Sequence, residues 1–269
     1  MNKLFHTLKK ILKSVILKPE YGNSVWTGQY DSWADVVKKT SSYQDDAIFD
    51  KVKNATQAVL NGEALYERDS VLFHEPEFDW ALLAVLQQIA IFNNNKLGLI
   101  DFGGSLGSTY FQNRHFLPTI DISWNVVEQK KFVEMGSEMK MPNALSFHST
   151  IQDALSESNS KVLLLSSMLQ YVETPYKLLE EILANDFEYV IVARTSFIND
   201  SKQRLTLQNV PSNIYSASYP CWFFKEEEFI EFFSEKYSLE CHIPTTVENG
   251  IQFEDEKNGY WKGFYFKKK

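Results

Sequence analysis

Leu99-Ile100-Asp101-Phe102-Gly103-Gly104-Ser105-Leu106-Gly107-Ser108 is the stretch whose reading decides the fold. An apolar run ends on a carboxylate and passes into a glycine-rich turn, with Tyr110 and Phe111 just beyond. Glycines at such a turn permit positive φ and let a ligand touch the backbone, while a helix starting there offers free N–H groups. The pattern therefore predicts a strand, a turn that cradles something small, and a helix. The dinucleotide fingerprint G-x-G-x-x-G needs glycines at its first, third and sixth positions. Counted from Gly103, those positions hold Ser105 and Ser108, so the fingerprint fails. A phosphate-binding P-loop fails too, because no Gly-Lys-Ser/Thr follows.

Outward from this turn, short apolar runs alternate with amphipathic stretches, the signature of a parallel α/β sheet. Strands are predicted at Leu97 to Phe102, Ser123 to Val127, Ala144 to Phe147, Val162 to Ser166 and Tyr189 to Ala193. After a predicted helix from Lys225 to Tyr237 come two strand-like pieces, Ser238 to Ile243 and Tyr260 to Phe266. Their connecting loop contains Asn249-Gly250 and Asn258-Gly259 and has no helix, which lets the last strand run antiparallel. Upstream, residues 26 to 95 read as helices and loops. One helix starts at Ser32 to Asp35, one runs from Asp45 to Leu60 and stops at Asn61-Gly62, and one runs from Phe78 to about Phe92. Five βα units closed by a β-hairpin, behind an N-terminal helical extension, is the expected architecture.

Glu128 falls at the end of the second predicted strand, 21 residues past Gly107. In a doubly wound sheet the C-terminal strand ends line one crevice, so Glu128 is expected beside the glycine turn, where a carboxylate can accept hydrogen bonds from both ribose hydroxyls.

Charge bounds the partners. The 269 residues carry 27 Lys+Arg against 35 Asp+Glu, a formal charge of −8. Residues 1–19 hold Lys3, Lys9, Lys10, Lys13 and Lys18 and no acid, so this segment is +5 and the remainder −13. An acidic body without a basic stripe is a poor nucleic-acid coat. In the basic segment Leu4, Leu8, Ile11, Leu12, Val15 and Ile16 recur at helical spacing, which predicts an amphipathic helix. It either docks on the acidic body or lies against anionic lipid. No apolar run is long enough to span a bilayer. Two cysteines, Cys221 and Cys241, form no Cys-x-x-Cys pair, which argues against a disulfide scaffold or structural zinc and for a reducing, cytoplasmic setting.

Asp101 to Gly107, then Glu128, Ser146-Phe147-His148-Ser149 and Val162 to Tyr171 resemble the cofactor-binding half of class I S-adenosylmethionine-dependent methyltransferases. The family's glycine motif has a further glycine where Ser105 stands. From about Trp26 onward, Trp26-x-Gly28, Ser32-Trp33, Tyr66 to Ser70 and Leu169-Gln170-Tyr171 also resemble a bacterial group of methyltransferases associated with surface polysaccharide and lipopolysaccharide synthesis. The resemblance implies a Rossmann-like sheet over 96–269, with residues 20–95 bordering or lidding an acceptor site. It further implies S-adenosylmethionine held by Asp101, Gly103, Gly104, Ser105, Gly107 and Glu128. Ser149 and Thr150 would flank adenine, although the family commonly has an acid where Ser149 stands, and Ser166 and Gln170 would face the methyl donor. The implied acceptor is a saccharide or glycan precursor, lipid-linked if residues 1–19 hold the protein at the inner membrane.

Methyl transfer asks the protein to align donor and acceptor and to exclude water. A general base is needed only for a weakly nucleophilic hydroxyl, and His74, His148 and Glu75 are the candidates. Arg194, after the fifth strand, and Tyr219, in the aromatic run Tyr219 to Phe224, are candidates for acceptor binding. Arg68 and Asp69 are a candidate ion pair. Two other readings fit the same residues. One is a catalytically silent module of the same fold, favoured by the departures at Ser105 and Ser149. The other is a nucleotide-dependent oxidoreductase, disfavoured by the failed fingerprint.

Overall fold

The structure is a computed structural model that describes residues 25–40, 45–210, 217–245, 251–253 and 255–269. The basic segment 1–19 and Asn249-Gly250 lie outside these residues. In chain order the elements begin with β1 (Trp26–Tyr30), α1 (Trp33–Val37), α2 (Asp45–Leu60), the hairpin β2 (Tyr66–Arg68) and β3 (Val71–Phe73), and α3 (Trp80–Phe92). The caps follow the sequence. Ser32 accepts from the Asp35 amide at 3.2 Å, Asp79 accepts from the Leu82 amide at 3.0 Å, and α2 ends at Gly62 with φ +79°.

The α/β part follows: β4 (Lys96–Phe102), α4 (Ser108–Asn113), β5 (Asp121–Val127), α5 (Lys130–Glu138), β6 (Leu145–His148), α6 (Ile151–Glu157), β7 (Val162–Ser166), α7 (Pro175–Leu183) and β8 (Tyr189–Ile198). It closes with β9 (Arg204–Val210), β10 (Ala217–Phe223), α8 (Glu226–Phe233), β11 (Tyr237–Pro244), β12 (Ile251–Gln252) and β13 (Asn258–Lys268). The main sheet has the order β11-β13-β8-β7-β4-β5-β6, with β12 on the edge of β13. Strands β6, β5, β4, β7 and β8 run parallel, and β13 runs antiparallel between β8 and β11. Asn258 and Gly259, expected in the hairpin loop, are strand residues that pair with Gln252 and Ile251.

Alternation explains why the central strands are apolar throughout. Leu97, Leu99, Leu164 and Ile191 pack into one core with α3, Phe111 and Trp124, while Ile100, Leu163, Leu165 and Val190 pack into a second core with Leu179, Phe229 and Phe264. Both faces are covered, as parallel sheets require. Asp101 is in register with Leu97 and Leu99 and so falls on the Trp124 side.

Two features depart from the sequence reading. Residues 26–95 are not purely helical, since β1 and the β2–β3 hairpin are extended. The segment after β8, to which no element was assigned, holds β9 and β10, which form an antiparallel sheet of order β1-β9-β10 with the N-terminal strand. Such pairing joins segments far apart in sequence, and no local periodicity announces it. Phe224 ties this small sheet to β8 through reciprocal backbone bonds, its carbonyl accepting from Ile198 and its amide donating to Ser196, both at 2.9 Å.

Candidate active site

The C-terminal ends of β4, β7 and β8 open under the β2–β3 hairpin and the small sheet, and together they enclose a cleft of about 250 Å³. Its floor is Gly103, Gly104 and Ser105, with Ser166 and Ser167 beside them. One wall is Glu67 to Ser70 of the hairpin, and the other carries Arg194, Gln208, Tyr219 and the rings of Trp26, Tyr171 and Trp261.

The floor is shaped by absent side chains. Gly103 and Gly107 have φ of +75° and +88°. A Cβ on Gly104 would lie 2.5 Å from Cγ of Asp101, and one on Gly107 would lie 2.7 Å from a Leu145 methyl. Ser105, the departure from the family's glycine, adopts φ +53°, so the serine takes the conformation a glycine would.

Five non-glycine residues that line the cleft have positive φ: Asp69, Ser70, Ser105, Ser167 and Arg194. Asp69 and Ser70 are the two central residues of a tight hairpin, where that conformation is expected. The other three have no such excuse, and strain of about 1–3 kcal/mol per residue persists only where the surroundings impose it, typically at functional sites. At Arg194 the cause is a β-bulge. Pairing between β8 and β13 shifts between Lys262 and Phe264, so Ala193 and Arg194 together face Gly263. The bulge turns the Arg194 guanidinium toward the cleft, 3.8 Å from the Asp69 carboxylate. Arg68 instead lays its guanidinium over the Phe73 ring at 4.7 Å.

The expected cofactor residues divide. Gly103, Gly104, Ser105 and Ser166 line the cleft. Glu128 stands beside the same turn, its carboxylate accepting from the amides of Gln129, at 2.6 Å, and Ser105; burial raises its pKa while these two bonds oppose the rise. Asp101 lies under the turn, 1% exposed, with Oδ2 accepting from Trp124 Nε1 at 2.9 Å and Oδ1 buried without a hydrogen-bond partner. Desolvation pushes its pKa to about 7. Thr150 caps α6 by accepting from the Asp153 amide at 3.0 Å, and Ser149 beside it is exposed. Gln170 is fully buried, donating to the Arg194 carbonyl at 3.2 Å and to Ser167 Oγ at 3.3 Å, so it braces the two strained residues rather than lining the cleft.

Neither histidine proposed as a base lies in the cleft. His74 is exposed, with Nδ1 3.0 Å from the Glu63 carbonyl, and Glu75 beside it is exposed too. His148 is buried, its Nε2 3.0 Å from Ser146 Oγ in a polar chain that continues to Asn125. That chain organises the sheet edge, which is why a histidine sits there. The cleft does hold a buried carboxyl, that of Glu67, 2% exposed. Ser108 Oγ donates to its Oε1 and the Ser70 amide to its Oε2 at 3.0 Å. Burial is the largest influence and raises its pKa to about 7 against these two bonds. Sequence reading passed over it because Glu67 is one acid among many, and only the packing of the hairpin on α4 buries it.

Tyr219 and Arg194, the predicted acceptor residues, do line the cleft. The aromatic run is split by strand alternation. Tyr219 meets Tyr171 edge-on at 5.2 Å, Phe223 packs with Trp26 and Trp261, and Trp222 on the opposite face stacks near Trp33 and donates to the Val172 carbonyl at 3.1 Å.

The strand order, with one antiparallel strand inserted second from the edge, stands on this chain's own backbone. The chain has the Rossmann-like sheet, mostly parallel with one antiparallel strand and flanked by helices, that the sequence resemblance implied. No protein-family model matches it, and no curated protein matches it in sequence. Among solved structures it is similar to 1,6-didemethyltoxoflavin-N1-methyltransferase of Burkholderia thailandensis with bound 1,6-didemethyltoxoflavin and S-adenosylhomocysteine, at 11% identity over 85% of this chain and 91% of that one, TM-score 0.41. It is also similar to the N-terminal domain of EvdMO1 in the presence of S-adenosylhomocysteine and D-fucose, at 10% identity over 84% and 98%, TM-score 0.47. A third is the glycopeptide N-methyltransferase MtfA complexed with S-adenosyl-L-methionine, at 8% identity over 67% and 92%, TM-score 0.44. At such identities the likeness is one of fold alone, and the ligands named are those proteins' own.

Proposed function

We propose that this protein is an S-adenosylmethionine-dependent methyltransferase whose acceptor is a saccharide or glycan precursor of cell-surface polysaccharide synthesis. The observation that carries the cofactor reading is the glycine cradle of Gly103, Gly104 and Gly107, closed to any side chain from below by Asp101 and Leu145, with Glu128 at the end of the neighbouring strand. In that arrangement the turn holds the amino-acid end of the cofactor and Glu128 the ribose hydroxyls. When bound, the cofactor supplies an electrophilic methyl group on a cationic sulfur. The chain's own part is to seat the acceptor between Arg194 and the rings of Tyr171 and Tyr219, to exclude water with the small sheet and the hairpin, and so to hold two reactants in one geometry. Aromatic rings beside hydrogen-bonding groups suit a sugar, whose apolar face stacks while its hydroxyls bond.

The described part of the N-terminal extension, together with β9 and β10, borders the acceptor side, and the main sheet with its helices forms the cofactor domain. Among the described residues no helix is long and apolar enough to cross a membrane. Contact with the inner membrane is assigned to residues 1–19, at about 1 kcal/mol per lysine near anionic lipid.

Titration calorimetry with S-adenosylmethionine, S-adenosylhomocysteine and NAD tests the reading. The first two should bind and NAD should not, and Glu128→Ala should weaken binding by about 1–3 kcal/mol, the scale of a lost hydrogen bond to a charged group. Absence of binding by either sulfur compound overturns the assignment. Removing residues 1–19 should abolish binding to anionic vesicles and spare cofactor binding; unchanged vesicle binding rejects the membrane role.

A further inference from the structure

The cleft contains one buried acid that the cofactor reading does not use, and its surroundings are specific. Glu67 of β2 lines the same cleft as Gly103 to Ser105, Ser166, Ser167 and Tyr219. Its two oxygens are held by one donor each, Ser108 Oγ and the Ser70 amide, so the carboxyl is fixed in place rather than free to swing to solvent. Among the described residues the charges around it are few. Its own hairpin supplies Arg68 and Asp69, and β8 supplies Arg194 by way of Asp69. In α2, Lys51 and Lys53 flank the cleft-lining Val52, and α4, which packs on the hairpin, carries no charged residue. Desolvation is the largest influence on the group, and the nearby charge of Arg68 is the smallest of those that oppose it.

We propose that Glu67 is the proton acceptor for a hydroxyl-bearing acceptor, and that the positive sulfur of the methyl donor is what ionises it. This rests on the methyltransferase reading and adds to it a proton route and a type of acceptor atom. A cation entering a water-poor cleft beside a carboxyl favours the charged form, so donor binding expels the proton that the empty cleft retains. During transfer the acceptor oxygen forms its bond to the methyl carbon, the methyl–sulfur bond breaks with its electron pair going to sulfur, and the hydroxyl proton passes to Glu67. The charge lost at sulfur equals the proton gained at the carboxylate, so the cleft is as neutral after the step as before it. Transfer thus leaves Glu67 protonated, the form the empty cleft favours, and product release needs no further proton movement. An amine acceptor with a free lone pair has no need of this acid, which is why the site points to oxygen.

The test needs no acceptor. Full-length protein is titrated with S-adenosylmethionine and, separately, with its uncharged product S-adenosylhomocysteine, in buffers of different ionisation heat, so that protons released per ligand are counted. With the Glu67 pKa at about 7, the cationic ligand should release about half a proton more than the neutral one at pH 7, with more released at pH 6 and little at pH 8.5. Glu67→Gln should erase the excess while both ligands still bind. Ser108→Ala, which removes a donor to the carboxylate, should move the excess to higher pH; this variant decides the matter if Glu67→Gln does not fold. Equal proton release by the two ligands, or an excess that survives in Glu67→Gln, overturns the proposal and leaves the methyltransferase reading standing. Failure of both ligands to bind overturns that reading and this inference with it.

Discussion

Two carboxyls buried at one site should make this protein less stable as pH rises, the reverse of what ion-paired acids do. Glu67 moves from an ordinary 4.5, and Asp101 from 3.8, to about 7 on folding. Each therefore binds protons more tightly folded than unfolded, and stability falls with pH between the unfolded values and about 7, with the cost fully present above that. At 1.36 kcal/mol per pH unit, the stretch from pH 5.5 to 7 gives about 2 kcal/mol per group, roughly 4 together. Urea denaturation at pH 5.5, 6.5 and 8 measures this. Other acids work the opposite way, because hydrogen bonds and ion pairs hold Asp200 and Asp255 below the ordinary range, so wild type must be compared with Glu67→Gln/Asp101→Asn. The two amides keep acceptors for Ser108 and Trp124 and cannot ionise. The difference between wild type and double variant should shrink by several kcal/mol as pH falls from 8 to 5.5. A difference constant across that range refutes the placement of both acids.

Gly104→Ala puts a methyl 2.5 Å from Asp101 Cγ, so the turn must shift; a loss of about 1–3 kcal/mol in denaturation and at least a tenfold loss of cofactor affinity are expected, and wild-type affinity would count against the cradle. Ser105→Gly relieves a left-handed serine and should leave stability equal or up to about 1 kcal/mol higher; a clear loss would show that the side chain, not the backbone, is what the position needs. Gly263→Ala meets the Val192 carbonyl at 2.4 Å opposite the Arg194 bulge and should lower the melting temperature by about 5 °C or more, while an unchanged melting point would contradict the register described.

The acceptor-side wall was the least legible part of the chain. His74 and His148 attracted attention because histidine is the commonest base, yet one is exposed and the other belongs to a sheet-edge polar chain. Glu67 lies in the Tyr66 to Ser70 stretch quoted for the resemblance, yet nothing there sets it apart from Asp69, since its character comes from losing water. Arg194 was expected just after the fifth strand, but β8 runs on to Ile198, and the residue's left-handed backbone arises from a bulge against Gly263, 69 residues later. Gln170 was expected to face the cofactor and instead braces Ser167 and Arg194 from behind.

The sequence by itself determined the alternating strands and helices of residues 96 to 193, the antiparallel last strand, and the glycine turn with Glu128 at the next strand end. These follow from short-range causes: apolar runs that must be covered on two faces, glycines that alone tolerate the turn, and strand ends that share one edge. Only the tertiary structure decided that β1 joins β9 and β10 over the cleft, and that a hairpin glutamate becomes a deeply buried acid in its lining. Strand pairing across some 175 residues and the desolvation of a single carboxyl depend on what packs nearby in space, which no local pattern of side chains encodes.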